Sequence, residues 1–227
     1  MTIIISDLHL GAPISQVKQL TPKLEAKLET GQVKRLILNG DIFQDLNFER
    51  LTKHHWKFIS LIRKWSDKIE IIWIFGNHDA GIIDVMQHLV GVKVYDYYEW
   101  IENDKKHCVI HGHQFDSFIG QHKITSRFFS NLYIQLQKIP IIKTLIIKLV
   151  NLGDIKFSRS VNKVRNGAIQ FAKNNKIDII ICGHTHKSEM IEIDEIIYAN
   201  SGGWIGDIGT IIEIDNSIMV YEFRIAE

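Results

Sequence analysis

Short apolar runs alternate with segments of helical spacing along the first ninety residues. Runs rich in Ile, Leu and Val at residues 2–6, 35–38 and 70–75 predict buried strands. Between them, apolar residues at helical spacing predict amphipathic helices over residues 16–29 and 50–65. Strands that alternate with helices in this way favour parallel pairing through right-handed crossovers.

The pattern changes after Val92. Residues 94–102 and 107–110 predict two antiparallel strands around a polar turn, and residues 177–182 predict a further strand. The last part of the chain predicts four short strands, at residues 189–193, 196–200, 209–214 and 218–223. We therefore expect the α/β class, with two packed sheets and helices outside them.

A basic, partly apolar segment at about residues 115–176 interrupts this second set of strands. Helices are predicted over residues 121–138, from Pro140 to Gly153, and over about 158–173. The middle helix is apolar nearly all round, so it is expected to be core, an oligomer contact, or a contact for acyl chains or a membrane. Eleven Lys and Arg against two Asp make the segment either a surface for an anionic substrate or membrane, or a solvated helix face. No run in the chain approaches the roughly 20 apolar residues needed to span a bilayer.

Each of five predicted strands runs into a short cluster of Asp, Asn, Gly or His. The clusters are Asp7 and His9 in SDLHLG, Gly40 and Asp41 in NGDIFQD, Gly76 to Asp79 in GNHD, His111 to His113 in HGH, and Gly183 to His186 in GHTH. The carboxyl ends of strands in an open α/β sheet are where sites are assembled from separate loops. We therefore expect the clusters to meet at one edge.

The clusters supply a set of metal ligands without a thiolate. Its seven candidate ligands are Asp7, His9, Asp41, Asn77, His111, His184 and His186. Mixed oxygen and nitrogen ligands suit Mn, Fe, Co or Zn. Seven ligands exceed the needs of one ion and suit two, with Asp41, central in the order, as the bridge. Two ions about 3.5–4 Å apart can hold a bridging hydroxide and clamp both oxygens of an in-line displacement.

The five motifs, taken together and in this order, resemble the calcineurin-like metallophosphoesterase superfamily. The resemblance implies a four-layer α/β/β/α sandwich, with residues 1–227 as one domain and a helical lid insertion at about 115–176. It also implies a hydrolase of phosphoric esters or pyrophosphates that uses two divalent metal ions. Mn is the favoured metal, and Fe, Zn, Co and Mg are alternatives.

Carried over by position, the resemblance assigns a role to each motif residue. One ion would be bound by Asp7, His9, Asp41 and His186, and the other by Asp41, Asn77, His111 and His184. His78 would lie beside the scissile phosphate and donate a proton to the leaving oxygen or stabilise charge there. Asp79 would orient His78 by a hydrogen bond, and Asp45 would support the site from outside the ligand set.

Within the superfamily, the chain is most similar to the UDP-2,3-diacylglucosamine diphosphatase-like group. The similarity rests on the short length, the DLHLG opening, the helical insertion and the stretch YANSGGWIGD. It implies cleavage of the pyrophosphate bond in an acylated nucleotide sugar, with the lid holding the acyl chains and in contact with the membrane surface. The residues expected to contact substrate are His113, Arg127, Arg159 and Arg165. The chain departs from the group at His113 and Gly203, where the group has Asp.

Two other functions are compatible with these motifs. One is a phosphodiesterase or phosphatase acting on soluble nucleotides; a nucleic-acid substrate is not favoured. The other is a non-catalytic scaffold, as in the retromer complex, although the intact His78 argues against it. The distant cysteines, Cys108 and Cys182, predict no disulfide and a cytoplasmic protein, with peripheral contact at the inner membrane face through the lid. An oligomer is compatible with the sequence.

Overall fold

The computed structural model describes residues 1–79, 83–116 and 155–225. The first elements are β1 (Thr2–Ile5), α1 (Val17–Glu29), β2 (Arg35–Asn39), α2 (Lys53–Ser66), β3 (Glu70–Ile74) and α3 (Ile83–Val90). The next three strands are β4 (Val94–Tyr95), β5 (Tyr97–Glu102) and β6 (Lys105–Ile110). The last elements are α4 (Ile155–Asn175), β7 (Ile179–Cys182), β8 (Ser188–Ile193), β9 (Ile196–Ser201), β10 (Ile208–Ile214) and β11 (Ile218–Arg224). The helices predicted over 121–138 and 140–153 lie outside the described residues.

The strands form two sheets. The first has the order β11-β10-β1-β2-β3-β4, and the second has the order β5-β6-β7-β9-β8. As predicted, β1, β2 and β3 pair in parallel through the helices between them. In the second sheet β6, β7 and β9 are parallel, while β5 and β8 are antiparallel edge strands.

Alternation along each central strand places apolar residues on both faces of the sheets. In β1, Ile3 and Ile5 pack outward beneath α1 and α2, while Ile4 packs inward. The inward residues of one sheet meet those of the other, as Ile37 of β2 and Ile181 of β7 do. The outer face of the second sheet packs against α4. These layers are the α/β/β/α sandwich that the resemblance implied.

The prediction of one strand over residues 94–102 was wrong. Val94 and Tyr95 pair with β3 in the first sheet, whereas Tyr97–Glu102 pairs with β6 in the second. The chain crosses between the sheets at Asp96. An aromatic and polar run without Gly or Pro gives no sign of this crossing, because each half has the composition of a strand.

Helix α2 begins three residues later than predicted. A 3-10 turn occupies Phe48–Arg50 and ends at Leu51, whose backbone is extended. The helix then starts at Lys53, where the backbone N–H of Thr52 donates to Nδ1 of His55 at 3.1 Å. This side chain satisfies a terminal backbone group that the helix itself leaves unpaired.

Across the described parts of the chain, no helix combines the length and apolar character required to cross a bilayer.

Candidate metal centre

The loops after β1 and β2 run side by side at one edge of the first sheet. The backbone N–H of Asp7 donates to the carbonyl of Gly40, and that of His9 donates to the carbonyl of Asp41, each at 3.0 Å. The loop after β3 approaches the same place, because the backbone N–H of His78 donates to Oδ1 of Asp41 at 2.8 Å. Three of the five motifs therefore share one hydrogen-bonded edge.

The loops of the second sheet join this edge from the opposite side. The backbone N–H of His184, after β7, donates to Oδ2 of Asp7 at 3.0 Å. Nδ1 of His111, after β6, lies 2.8 Å from the carbonyl oxygen of Asn39. Residues separated by more than 170 positions are thus held in contact by direct hydrogen bonds between the sheets.

Five of the predicted ligand residues have left-handed backbone conformations. Their φ angles are 53° at Asp7, 47° at His9, 50° at Asp41, 68° at His184 and 54° at His186. Such conformations are uncommon outside glycine, with Asp and His among the residues that adopt them more often. They cost of order 1–3 kcal/mol each and persist where the surroundings enforce them. Here the surroundings are the loops that build the site.

The first group of side chains consists of Asp7, His9 and His186. Nε2 of His186 lies 3.2 Å from Oδ1 of Asp7 and 3.2 Å from Nε2 of His9. The three ligand atoms lie within 4.8 Å of one another. The ligand atoms of a second trio, formed by His9, Asp41 and His78, also lie within 4.8 Å of one another.

Another trio consists of Asp41, His111 and His184, and its ligand atoms also lie within 4.8 Å of one another. Oδ2 of Asp41 is 3.3 Å from Nε2 of His111 and 4.0 Å from Nε2 of His9. One carboxylate oxygen therefore lies between the two groups of histidines.

The donor atoms of this site suit divalent cations. Because Nδ1 of His111 donates to the carbonyl of Asn39, Nε2 is the nitrogen that faces Asp41 and that can bind a metal ion once its proton is lost. Nδ1 of His9 likewise donates to Oε1 of Gln44 at 3.1 Å, which leaves the lone pair of its Nε2 facing His186. Oδ1 of Asn77 is buried and accepts no hydrogen bond from any residue in the described ranges. A cluster of oxygen and imidazole nitrogen atoms of this kind fits the metal ions that the resemblance implied.

The electrostatics of the site agree with binding of a cation. Burial would lower the pKa of His111, but the Asp41 carboxylate raises it to about 9. Burial would raise the pKa of Asp41, but the imidazoles of His111 and His78 hold it well below its usual range. Burial, reinforced by His78, lowers the pKa of His9 to about 3. A proton on His111 therefore balances Asp41, and a bound cation would displace it.

The expected hydrogen bond between Asp79 and His78 is not formed. Nδ1 of His78 donates instead to the backbone carbonyl oxygen of Gln44 at 3.0 Å. The Asp79 carboxylate accepts from the backbone N–H groups of Phe43 and Gly76, both at 3.1 Å. Burial, with a contribution from Asp41, raises the pKa of Asp79 to about 7. Asp79 thus ties the loops after β2 and β3 together, and it holds the loop that carries His78 rather than its ring.

Gln44, rather than Asp45, supports the site from behind. The Asp45 carboxylate turns away, pairing with Arg50 at 2.7 Å and capping the backbone N–H of Asn47 at 2.8 Å. Gln44 faces inward: its side-chain Oε1 accepts a hydrogen bond from His9, and its backbone carbonyl oxygen accepts one from His78. The prediction for Asp45 was wrong. It relied on the acidic side chain of Asp45, whereas the backbone conformation of the loop decides which residue faces the site.

The structure describes the side chains of two of the four predicted substrate contacts. His113 is half-buried, with its ring centroid 5.5 Å from that of His111 and 5.6 Å from that of Phe75. Arg165 pairs with Glu189 of β8 at 2.6 Å. Arg127 lies outside the described residues, as does the side chain of Arg159. Contact of these four residues with substrate stays a prediction.

Sequence reasoning also missed Asp116 and Ser160. Oδ2 of the buried Asp116 lies 3.4 Å from Nε2 of His184 and 2.5 Å from Oγ of Ser160. The only signal was the position of Asp116 five residues after His111, which is weak evidence by itself.

Comparison with known proteins identifies the family and the fold. A family model described as calcineurin-like phosphoesterase matches residues 2–188. Among solved structures, a novel archaeal phosphodiesterase is 16% identical with a TM-score of 0.50, over 98% of this chain and 99% of that chain. A double mutant of Vps29 from Entamoeba histolytica is 18% identical with a TM-score of 0.50, over 100% and 93%. At such identities the likeness concerns the fold. No curated protein matches the sequence.

Proposed function

The chain belongs to the calcineurin-like phosphoesterase family, and from this premise we propose that it is a metal-dependent hydrolase of phosphodiester or pyrophosphate bonds. The observation that carries the proposal is the position of Asp41. One of its oxygens lies between His9 and His111, at the centre of a site that five separate loops build.

Divalent metal ions are implied by the family, and the donor set fits two of them. Asp7, His9, Asp41 and His186 would hold one ion, and Asp41, Asn77, His111 and His184 the other. When bound, such ions supply Lewis-acid charge to phosphoryl oxygens and lower the pKa of water. Mn²⁺ is our choice of metal, because mixed carboxylate, amide and imidazole ligands suit it.

His78 is the proposed proton donor to the leaving oxygen. Its Nδ1–H donates to the backbone carbonyl oxygen of Gln44, so Nε2 is the nitrogen that remains for substrate. Its backbone N–H holds Oδ1 of Asp41 at 2.8 Å, which fixes the ring next to the bridging carboxylate. A positioned acid of this kind contributes about 10²–10⁴-fold in rate.

For the substrate, we propose the pyrophosphate bond of UDP-2,3-diacylglucosamine or a related lipid-linked nucleotide. The support comes from the composition of residues 115–176, where a run of apolar residues and eleven basic residues suit a ligand with acyl chains and phosphates. In this proposal the same segment contacts the inner face of the membrane.

Hydrolysis of a generic diester and of the lipid substrate, both with Mn²⁺, tests the two levels separately. We expect turnover of bis-(p-nitrophenyl) phosphate and of UDP-2,3-diacylglucosamine, but not of soluble UDP-N-acetylglucosamine. Asp41→Ala and His78→Ala should abolish or strongly reduce both activities. Asp45→Ala is the matched control. It also removes a carboxylate from the loop after β2, but this carboxylate pairs with Arg50 instead of facing the site.

The outcomes distinguish the alternatives. Turnover of the generic diester and of soluble nucleotides alone would keep the hydrolase and reject the lipid substrate. No turnover of any phosphoester by protein with bound metal would favour a scaffold. Equal losses in Asp45→Ala and Asp41→Ala would contradict the assignment of Asp41.

A further inference from the structure

A buried carboxylate connects the candidate metal centre to α4. Asp116 ends the turn after His111, and its side chain is only 8% exposed. A carboxylate withdrawn from water to this extent requires donors around it. Two of the groups around it are the Nε2 atom of His184, at 3.4 Å from Oδ2, and the hydroxyl of Ser160, at 2.5 Å from the same oxygen.

The contact with Asp116 determines which nitrogen of His184 is available to a metal. With Nε2 turned to a carboxylate, this nitrogen carries the proton, and Nδ1 keeps the lone pair. His184 supplies a ligand atom within 4.8 Å of those of Asp41 and His111. A carboxylate that accepts the second N–H of a metal-bound imidazole fixes its tautomer and raises its basicity.

The hydroxyl on the other side of Asp116 belongs to α4, which is packed directly on this turn. Gly167 of α4 lies so close to Phe115 that an added Cβ would be 2.7 Å from its side chain. One turn earlier, Val164 packs against Gly112, with 3.1 Å between its Cγ1 and the position of a Cβ there. The chain of contacts from His184 through Asp116 to Ser160 therefore crosses a tight helix–loop interface.

We propose that Asp116 is a positioning residue that orients His184 for the metal shared with His111, and that it couples occupation of this site to the docking of α4. The inference rests on the proposed metal site. Because linkage is reciprocal, contacts of α4 strengthen metal binding, and bound metal in turn stabilises the first turns of α4. Helix α4 would then sense the metal centre through one carboxylate.

Metal binding itself is the measurement. Mn²⁺ is titrated into the metal-free full chain by calorimetry, and bound metal is counted by mass spectrometry. We expect Asp116→Ala to weaken one of the two sites by about 10–100-fold, as removal of such outer contacts does elsewhere. Asp116→Asn, which keeps an oxygen acceptor, should lie between Asp116→Ala and the unaltered chain, and Ser160→Ala should weaken the same site less.

Hydrogen exchange measures the coupling. In the unaltered chain, Mn²⁺ should slow exchange of the amides of α4 around Ser160, and this protection should be lost in Asp116→Ala. The matched control is Asp194→Asn, which removes a 2.6 Å ion pair between Asp194 and Lys173 of the same helix, away from Asp116. It should leave both metal affinity and metal-dependent protection unchanged.

Failures at the two levels differ. If the unaltered chain bound no Mn²⁺, the proposed metal site itself would be wrong. If it bound two ions and Asp116→Ala bound both with the same affinities, Asp116 would have no positioning role. If metal slowed exchange in α4 equally in both proteins, the coupling would be refuted.

Discussion

The substitution Gly76→Ala tests the idea that the loops after β2 and β3 must touch for the site to form. A Cβ at position 76 would collide with the backbone nitrogen and Oδ1 of Asp41, and it would lie 2.9 Å from the carbonyl carbon of Gly40. The obstruction is backbone, which cannot rotate away as a flexible side chain can. The loop that carries Asn77 and His78 must therefore move away from Asp41.

The required movement sets the size of the effect. Ordinary carbon contacts are about 3.5–4.0 Å, so the clash with the backbone nitrogen of Asp41 requires the two loops to separate by roughly 1–2 Å. A misplacement of catalytic groups by about 1 Å costs on the order of 100-fold in rate. Here the displacement affects both Asp41 and the loop that carries Asn77 and His78. The overpacking itself should lower the free energy of unfolding by about 1–3 kcal/mol.

The assay compares kcat/KM for bis-(p-nitrophenyl) phosphate, bound Mn²⁺ and the midpoint of thermal unfolding. The matched control is Gly31→Ala, where φ is +72° and no atom lies within 4 Å of the added Cβ. Its left-handed backbone should cost about 1–2 kcal/mol, comparable to Gly76→Ala, but without loss of activity. Gly76→Ala with the metal content and kcat/KM of Gly31→Ala would refute the reasoning.

Three further predictions follow from the same contacts. His78→Asn should lower kcat by about 10²–10⁴-fold while both ions remain bound, and loss of an ion on calorimetric titration would make His78 a ligand instead. Gln44→Ala should weaken Mn²⁺ binding by about 10–100-fold because His9 loses the acceptor of its Nδ1 proton; Gln44→Glu keeps an acceptor and should bind close to normally, so equal effects of the two changes would contradict this role. Removal of metal by a chelator should lower the thermal midpoint, and Mn²⁺ at 100 times its Kd should restore about 2.7 kcal/mol; a midpoint independent of Mn²⁺ would argue against binding to the folded chain.

The parallel strands and the edge where their loops meet were predictable from the sequence. Apolar runs of four or five residues that end in Asp, Asn or His leave few other arrangements, since β1 to β3 must bury both faces. The same logic located β6 and β7, and with them His111 and His184. Strand positions are local information, and they were enough to bring the ligand candidates to one edge.

The contacts behind the ligands were not predictable in this way. Whether Gln44 or Asp45 faces the site depends on the backbone direction after Asp41, where φ is +50°. That Asp79 binds the backbone of Phe43 and Gly76 depends on how closely two loops approach. The crossing at Asp96 depends on packing between sheets. All three are tertiary properties without a periodic signal in the chain.

The left-handed backbone at the ligand positions has a consequence for the history and engineering of this chain. Glycine in place of His9, His184 or His186 would relieve backbone strain of order 1–3 kcal/mol each, so backbone conformation does not favour histidine at these positions. A gene copy freed from catalysis could gain stability by drifting at these positions, and its fold would outlast its chemistry. A screen for thermostable variants would favour the same changes, so these codons must be held constant in any such library.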